Sequence, residues 1–233
     1  MWDIDEARLN VTLGEVANSF PSRRVFGLRV DVADADAVYA AAKRTLEEVG
    51  FVHAVVNNAV RIFVFWPPAD TPQGIVTGRY LLETPECSIR RTFDVNVLSH
   101  FWVSKAFLPL MIARNEGHLV FVASVAGMHG AARMVDYCAS KFAVVGLEES
   151  LRGELLKQGV SGVRTTCVCP AHVTTDLFKG YNPGTAYTSL TPRHVAARVI
   201  EAIQKEQVMV LLPAHLWLAG VVKGTREYNW SVL

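Results

Sequence analysis

Ser124 to Lys141 reads S-V-A-G-M-H-G-A-A-R-M-V-D-Y-C-A-S-K. The run before it, Gly117-His118-Leu119-Val120-Phe121-Val122-Ala123, is short, apolar and rich in β-branched and aromatic residues, so it predicts a buried strand ending at a serine. A glycine-containing loop follows, and the apolar spacing from Tyr137 to about Lys157 predicts a long helix. Tyr137 and Lys141 stand four residues apart, so they share one helix face. A hydroxyl, a phenol and an ammonium therefore meet at the mouth of one strand–loop–helix unit. Singly these are weak signals. A Y-x-x-x-K pair arises by chance at average composition, and a serine after a strand is usually a turn or cap residue. The thirteen-residue step from Ser124 to Tyr137 makes the set specific.

Outward from that unit, the chain of 233 residues is long enough for a single α/β domain with a full core. It is 51% hydrophobic and 19% charged, which suits a parallel sheet buried on both faces. A net charge of +1 gives no field that would attract nucleic acid. The four cysteines show no C-x-x-C spacing. Cys167 and Cys169 alternate with Val168 in a predicted strand, which makes them core thiols on one face and indicates a reducing compartment. No secretory signal opens the sequence and no apolar run reaches the length of a membrane span.

The order of elements is helix and strand in alternation. Asp5 to about Asn18 is expected as a helix, Val25–Val32 as a strand, Ala33–Val49 as a helix with aspartate caps, and Phe51–Val56 as a strand leading into Asn57-Asn58-Ala59. Pro85 to Asn115 reads as one long helix with Phe93, Val97, Phe101 and Lys105 on a stripe and Asn96 inside it. Val163–Cys169 is the next strand, ending at Pro170-Ala171-His172-Val173-Thr174-Thr175. Thr191-Pro192 caps a helix from Arg193 to about Lys205, and Val208–Leu212 is a last strand. Short connections between such elements mean parallel crossovers. Val60 to Gln73 breaks the rhythm and is read as a fourteen-residue insertion, either a splice product or a lid over the site. Met209 to Val222 is read as the last strand plus an apolar helix, which either borders the substrate pocket or a membrane surface or packs in the core.

Several stretches together resemble the short-chain dehydrogenase/reductase family, in its membrane-associated retinol and 17β-hydroxysteroid dehydrogenase branch. They are Ser124…Tyr137…Lys141, Trp2-Asp3-Ile4, Thr92-Phe93-Asp94-Val95-Asn96, Lys105-Ala106-Phe107-Leu108-Pro109, Val168-Cys169-Pro170, and Asn57-Asn58-Ala59 joined across the insertion to Gly74. The resemblance implies a Rossmann-like doubly wound parallel sheet. It also implies an NAD(P)-dependent oxidoreductase interconverting a lipophilic alcohol, retinol or a hydroxysteroid, and its carbonyl. Ser124, Tyr137, Lys141 and Asn96 take the catalytic positions by this match. Tyr137 is the base, Lys141 lowers its pKa and bonds the nicotinamide ribose, Ser124 holds the substrate oxygen, and Asn96 supports a water behind Lys141.

The same match assigns Asp3, Asp31, Val32, Asn58, Ala59, Tyr137, Lys141, Pro170, Val173 and Thr175 to the cofactor. Asp3, at the end of a strand where a carboxylate bonds ribose hydroxyls and repels a 2′-phosphate, favours NAD over NADP. A homodimer through the helices at Pro85–Asn115 and Tyr137–Lys157 is implied, as are peripheral membrane contact and an endoplasmic reticulum or lipid-droplet location on the cytoplasmic face. A cytosolic location follows if the branch's anchor is absent. The family's opening strand, G-x-x-x-G-x-G turn and first helix have no counterpart in the sequence, which is read as starting near the end of the second strand. The alternative expectation is therefore a catalytically inactive, shortened isoform that acts only as a dimerisation partner.

Overall fold

Asp5, Asp34 and Thr191 each start a helix for the same reason. Their side-chain oxygens accept backbone N–H groups of the first turn, from Arg8, from Asp36 and Ala37, and from His194 respectively. The computed structural model describes residues 1–60, 79–175 and 189–216. Within them lie β1 (Trp2–Asp3), α1 (Glu6–Ser19), β2 (Leu28–Arg29), α2 (Ala35–Val49), β3 (Ala54–Asn57), α3 (Glu86–Phe93), a π-turn (Asp94–Leu98), α4 (Ser99–Arg114), β4 (Gly117–Val122), α5 (Val135–Lys157), β5 (Val163–Pro170), α6 (Pro192–Gln204) and β6 (Met209–Leu212). Most of the insertion read at Val60–Gln73 and the segment after Leu216 lie outside the described residues.

All strand pairings among the described residues are parallel. β1 pairs with β2, and a second sheet runs in the order β3-β4-β5-β6. β4 is held along its whole length, from Gly117 opposite Val163 to Val122 opposite Val168. Successive side chains leave a strand on opposite faces, and both faces are covered here. Leu119, Phe121, Cys167 and Cys169 turn toward α2, α4 and α5, where they meet Val38, Phe107, Met111 and Val144. Val120 and Val168 turn the other way, to Ala202 of α6 and to Val210 and Leu212. This two-sided burial is why the β4 segment reads as a continuous apolar run. Both sheets rest on one core. The Trp2 ring lies 5.7 Å from the Phe107 ring of α4, and its indole N–H donates to Thr45 of α2 at 3.2 Å.

Three expectations are corrected. The strand expected over 25–32 is only Leu28–Arg29, because β1 offers it only Trp2 and Asp3 as partners. The helix expected over 85–115 is interrupted by the π-turn at Asp94–Leu98. The wider turn changes the angular register of the residues after it. The buried stripe runs through Thr92, Asn96, His100, Val103, Phe107 and Met111; of the expected stripe Val97 is buried, whereas Phe101 is left 39% exposed and Lys105 is exposed. By length and hydropathy, 86–114 could cross a membrane, but this buried stripe packs it against the sheet as a core helix.

α4 ends at Asn115, in the left-handed conformation at φ 50°. Its Oδ1 accepts the Gly162 N–H at 2.8 Å, and the Gly162 carbonyl accepts the Gly117 N–H at 3.2 Å. A Cβ at position 162 would fall 1.6 Å from the Asn115 carbonyl oxygen. Gly162→Ala is therefore expected to lower stability by about 1–3 kcal/mol in urea unfolding, through overpacking. Gly14 in α1 has nothing within 4 Å of its Cβ position, so Gly14→Ala should raise stability by ~0.5–1 kcal/mol. Equal effects of the two would contradict this packing.

Candidate active site

β4 stops at Val122 because the next residues turn over the carboxyl edge of the sheet. Ser124 stays extended, its hydroxyl donates to the Pro170 carbonyl at 3.2 Å, and it accepts the Ala126 N–H at 3.1 Å. That second bond caps a short 3-10 turn, Val125–Gly127. The turn lies directly on α5, since a Cβ at Gly127 would come within 2.6 Å of the Lys141 carbonyl oxygen. Ser124 is fixed from both sides, by the end of β5 and by the turn.

The structure brings Ser124, Tyr137 and Lys141 together. Tyr137, on the first turns of α5, lies within hydrogen-bond reach of the Ser124 side chain and has only 4% of its surface exposed. Burial pushes its phenol up to about 12, against the smaller opposite pull of the Ser124 side chain. Lys141, one turn on, is 1% exposed. Its Nζ donates to the Val122 carbonyl at 2.9 Å and sits 5.8 Å from the centre of the Tyr137 ring, within cation–π range. Burial lowers the Lys141 pKa to about 8, with the Cys169 and Cys167 thiols acting in the opposite sense. Those two thiols lie 3.8 Å apart on the inner face of β5.

Asn96 enters through the π-turn and is fully buried. Its Nδ2 donates to Ser140 Oγ at 3.1 Å, and Ser140 donates to the Tyr137 carbonyl at 2.7 Å. Asn96 is thus joined through Ser140 to the helix that carries Tyr137 and Lys141.

The residues expected at the cofactor line the carboxyl ends of the strands. Asp3 ends β1 and is exposed, with one carboxylate oxygen accepting the Asp5 N–H at 2.9 Å. Asp31 follows β2. Its Oδ1 accepts the Ala33 N–H at 3.0 Å and its Oδ2 pairs with Arg91 of α3 at 2.7 Å, while Val32 packs on the core. Asn58 and Ala59 are exposed just past β3. Pro170 closes β5, Val173 bridges to Leu190, and Thr175 is exposed with its N–H on the Val173 carbonyl at 2.8 Å. Asp3 belongs to the two-stranded sheet and the β3 to β5 positions to the four-stranded one.

Ligands of open parallel sheets bind along this carboxyl edge. The donors at its centre fit a nicotinamide nucleotide. Lys141 and Ser124 supply hydrogen-bonding groups, and Asn57, at the end of β3, has a buried amide nitrogen with no hydrogen-bond partner. Sequence reasoning missed Ser140, Gly127 and Arg91. Ser140 carried a signal in its place three residues after Tyr137 and one before Lys141, whereas Arg91 meets Asp31 across sixty residues with no local sign.

A family model described as short chain dehydrogenase matches residues 1–186. Over 235 residues, covering 100% of this chain and 71% of the relative, the sequence is 36% identical to epidermal retinol dehydrogenase 2 of Mus musculus. It is 37% identical over 217 residues to estradiol 17-beta-dehydrogenase 11 of Pongo abelii, covering 93% of this chain and 66% of that protein. The chain thus spans about two thirds of the length of these curated relatives. Among solved structures, a short chain dehydrogenase/reductase from Burkholderia phymatum in complex with NAD superposes with a TM-score of 0.79 at 27% identity, covering 96% of this chain and 82% of that one.

The buried ammonium predicts a pH dependence. Below about pH 8 Lys141 is charged in the folded chain and its burial opposes folding. Between about 8 and 10.5 the folded lysine has lost its proton while the unfolded one keeps it, so stability rises with pH. Lys141→Met should therefore be more stable than the parent at pH 7, by up to ~3 kcal/mol. In paired urea titrations that advantage should shrink toward pH 10.5. A gap that is independent of pH would contradict the assignment.

Proposed function

Since the chain belongs to the short chain dehydrogenase family, with a Rossmann-like α/β fold, we propose that it interconverts a lipophilic alcohol, retinol or a hydroxysteroid, and its carbonyl, with NAD as the preferred nicotinamide cofactor. The observation that carries this reading is the buried contact of Ser124 with Tyr137, with the Lys141 ammonium beside the ring. The 2′-hydroxyl preference rests on the exposed carboxylate of Asp3 at the end of β1.

In this reading Ser124, anchored to Pro170, holds the substrate oxygen against the Tyr137 hydroxyl. Tyr137 takes the hydroxyl proton of an alcohol or gives one to a carbonyl oxygen. With its pKa at about 12, the ligand-free phenol is an acid that keeps its proton at neutral pH. It becomes a base only when positive charge gathers beside it, and each unit of pKa lowering corresponds to about 1.4 kcal/mol of preferential stabilisation of the phenolate. Lys141 supplies one such charge, 5.8 Å from the ring centre, and leaves its remaining donors for a ribose hydroxyl. Asn58, Ala59, Pro170, Val173 and Thr175 would border the bound nucleotide, with Asp31 and Val32 toward its adenine end. Bound NAD supplies the hydride acceptor.

A second reading keeps the chain as a binding partner of another copy or of a related subunit. Leu98 and Phe101 on the α3–α4 side and Phe142 on α5 are exposed by 37%, 39% and 39%, an apolar set on the helices expected to pair.

Calorimetric titration of NAD into the purified chain separates the two. The dehydrogenase reading expects a Kd on the order of micromolar, a raised Tm, and retinol or steroid turnover that falls ~10³-fold in Tyr137→Phe. No NAD binding to a cooperatively melting chain would sink that reading and leave the partner role.

A further inference from the structure

α3 and its π-turn are tied to α5 by two side-chain bonds at matched spacing, one buried and one part-buried. Thr92 donates to Asp136 Oδ2 at 3.0 Å, and Asn96 donates to Ser140 Oγ at 3.1 Å. Thr92 and Asn96 are four residues apart, and so are Asp136 and Ser140. The bonds form a two-rung ladder, donated by one helix and accepted by the other. Thr92, Asn96 and Ser140 all have 0% of their surface exposed, so water cannot replace either donor's partner. Tyr137 lies between the two acceptors on α5, and Lys141 follows the second.

The upper rung continues inward, since the Ser140 hydroxyl spends its own proton on the Tyr137 carbonyl at 2.7 Å. The rungs also bracket the start of the π-turn at Asp94. A π-turn hydrogen-bonds less favourably than α-helix, and relaxation to α would rotate Asn96 off its line. Thr92 pins the helix before the wide turn and Asn96 pins it inside. Ser140 touches both the π-turn, through Asn96, and the residue carrying the phenol, through the Tyr137 carbonyl.

We propose that Ser140 is a positioning residue. It locks the Asn96 π-turn against α5 and thereby fixes Tyr137 and Lys141 in reacting register, with the Thr92–Asp136 bond as its second support. The proposal rests on the reading of Tyr137 and Lys141 as the reacting pair.

The test uses Ser140→Ala, Ser140→Thr and Thr92→Val in the full chain, read in two ways. The first is proton exchange of the Asn96 side-chain amide by NMR, on the chain without ligand. Ser140→Ala should accelerate it about tenfold or more, the factor for losing one buried hydrogen bond. Thr92→Val should accelerate it as well, although Thr92 makes its bond to Asp136 and not to Asn96. Independent bonds would leave the Asn96 exchange unchanged in Thr92→Val, which overturns the ladder. The second is steady-state kinetics. Ser140→Ala should lower kcat about tenfold with KM within about twofold, and Ser140→Thr, which keeps the hydroxyl, should recover most of the loss. Unchanged kcat in Ser140→Ala, or kcat and KM altered together only as Tm falls, would refute the positioning role. Absence of turnover in the parent chain counts against the dehydrogenase reading alone, and the exchange comparison then decides the ladder by itself.

Discussion

Lys141 is a cation placed almost wholly out of water, and the arrangement around it follows from what such a placement demands. A buried ammonium that lacks compensation is costly enough to lose its proton or unfold its surroundings. Here the Val122 carbonyl accepts one of its N–H groups, the face of Tyr137 lies within reach, and Cys169 and Cys167 act electrostatically to favour the charge. Each of these comes from a different element. β4 must end where its last carbonyl is free to turn inward, β5 must present Cys167 and Cys169 on its inner face, and α5 must begin early enough for Tyr137 to precede the lysine by one turn. The close seat of Gly127 on the Lys141 backbone closes the fourth side. The site is therefore a property of the β4–α5–β5 unit as a whole.

Much of that unit was legible in the sequence. The apolar run into Ser124, the helical period from Tyr137 and the alternation of Cys167, Val168 and Cys169 are local signals, and the structure places each as expected. The aspartate and threonine caps were readable for the same reason. The features that escaped are set by distant partners. The brevity of β2 depends on the two residues of β1 opposite it. The π-turn does not alter composition, so a period that drifts from α to π within five residues is hidden in an apolar stretch. Asp31 is assigned to the cofactor by the resemblance, and only the fold reveals that it also holds Arg91.

The polar interior on the α4 side has a different character. His100 is buried against Phe121 with both ring nitrogens lacking hydrogen-bond partners, and burial lowers its pKa to about 3. It is a neutral aromatic at every physiological pH. Ser104, one turn along α4, and Asn57, across from Phe121 in β3, likewise have a buried polar atom without a protein partner. Such groups are uncommon in well-packed interiors, where water or a ligand usually satisfies them. They lie below the edge where Asn58 and Ala59 emerge, which ties the unsatisfied interior to the ligand-facing rim.

The all-parallel pairing also governs how the chain reaches this state. Ala54 must find His118, Gly117 must find Val163, and Cys167 must find Met209, so among the described residues no strand pairs with a near neighbour in sequence. Each pairing closes a long loop before it returns any hydrogen bond, which slows folding relative to hairpin-built sheets. Until the crossovers dock, the β4 and β5 segments are apolar strands with both edges open, the state most prone to joining other chains. Helices α2, α4, α5 and α6 thus act as early shields as well as late scaffolding. A substitution that delays their docking would reduce the yield of folded protein without touching any residue of the finished site.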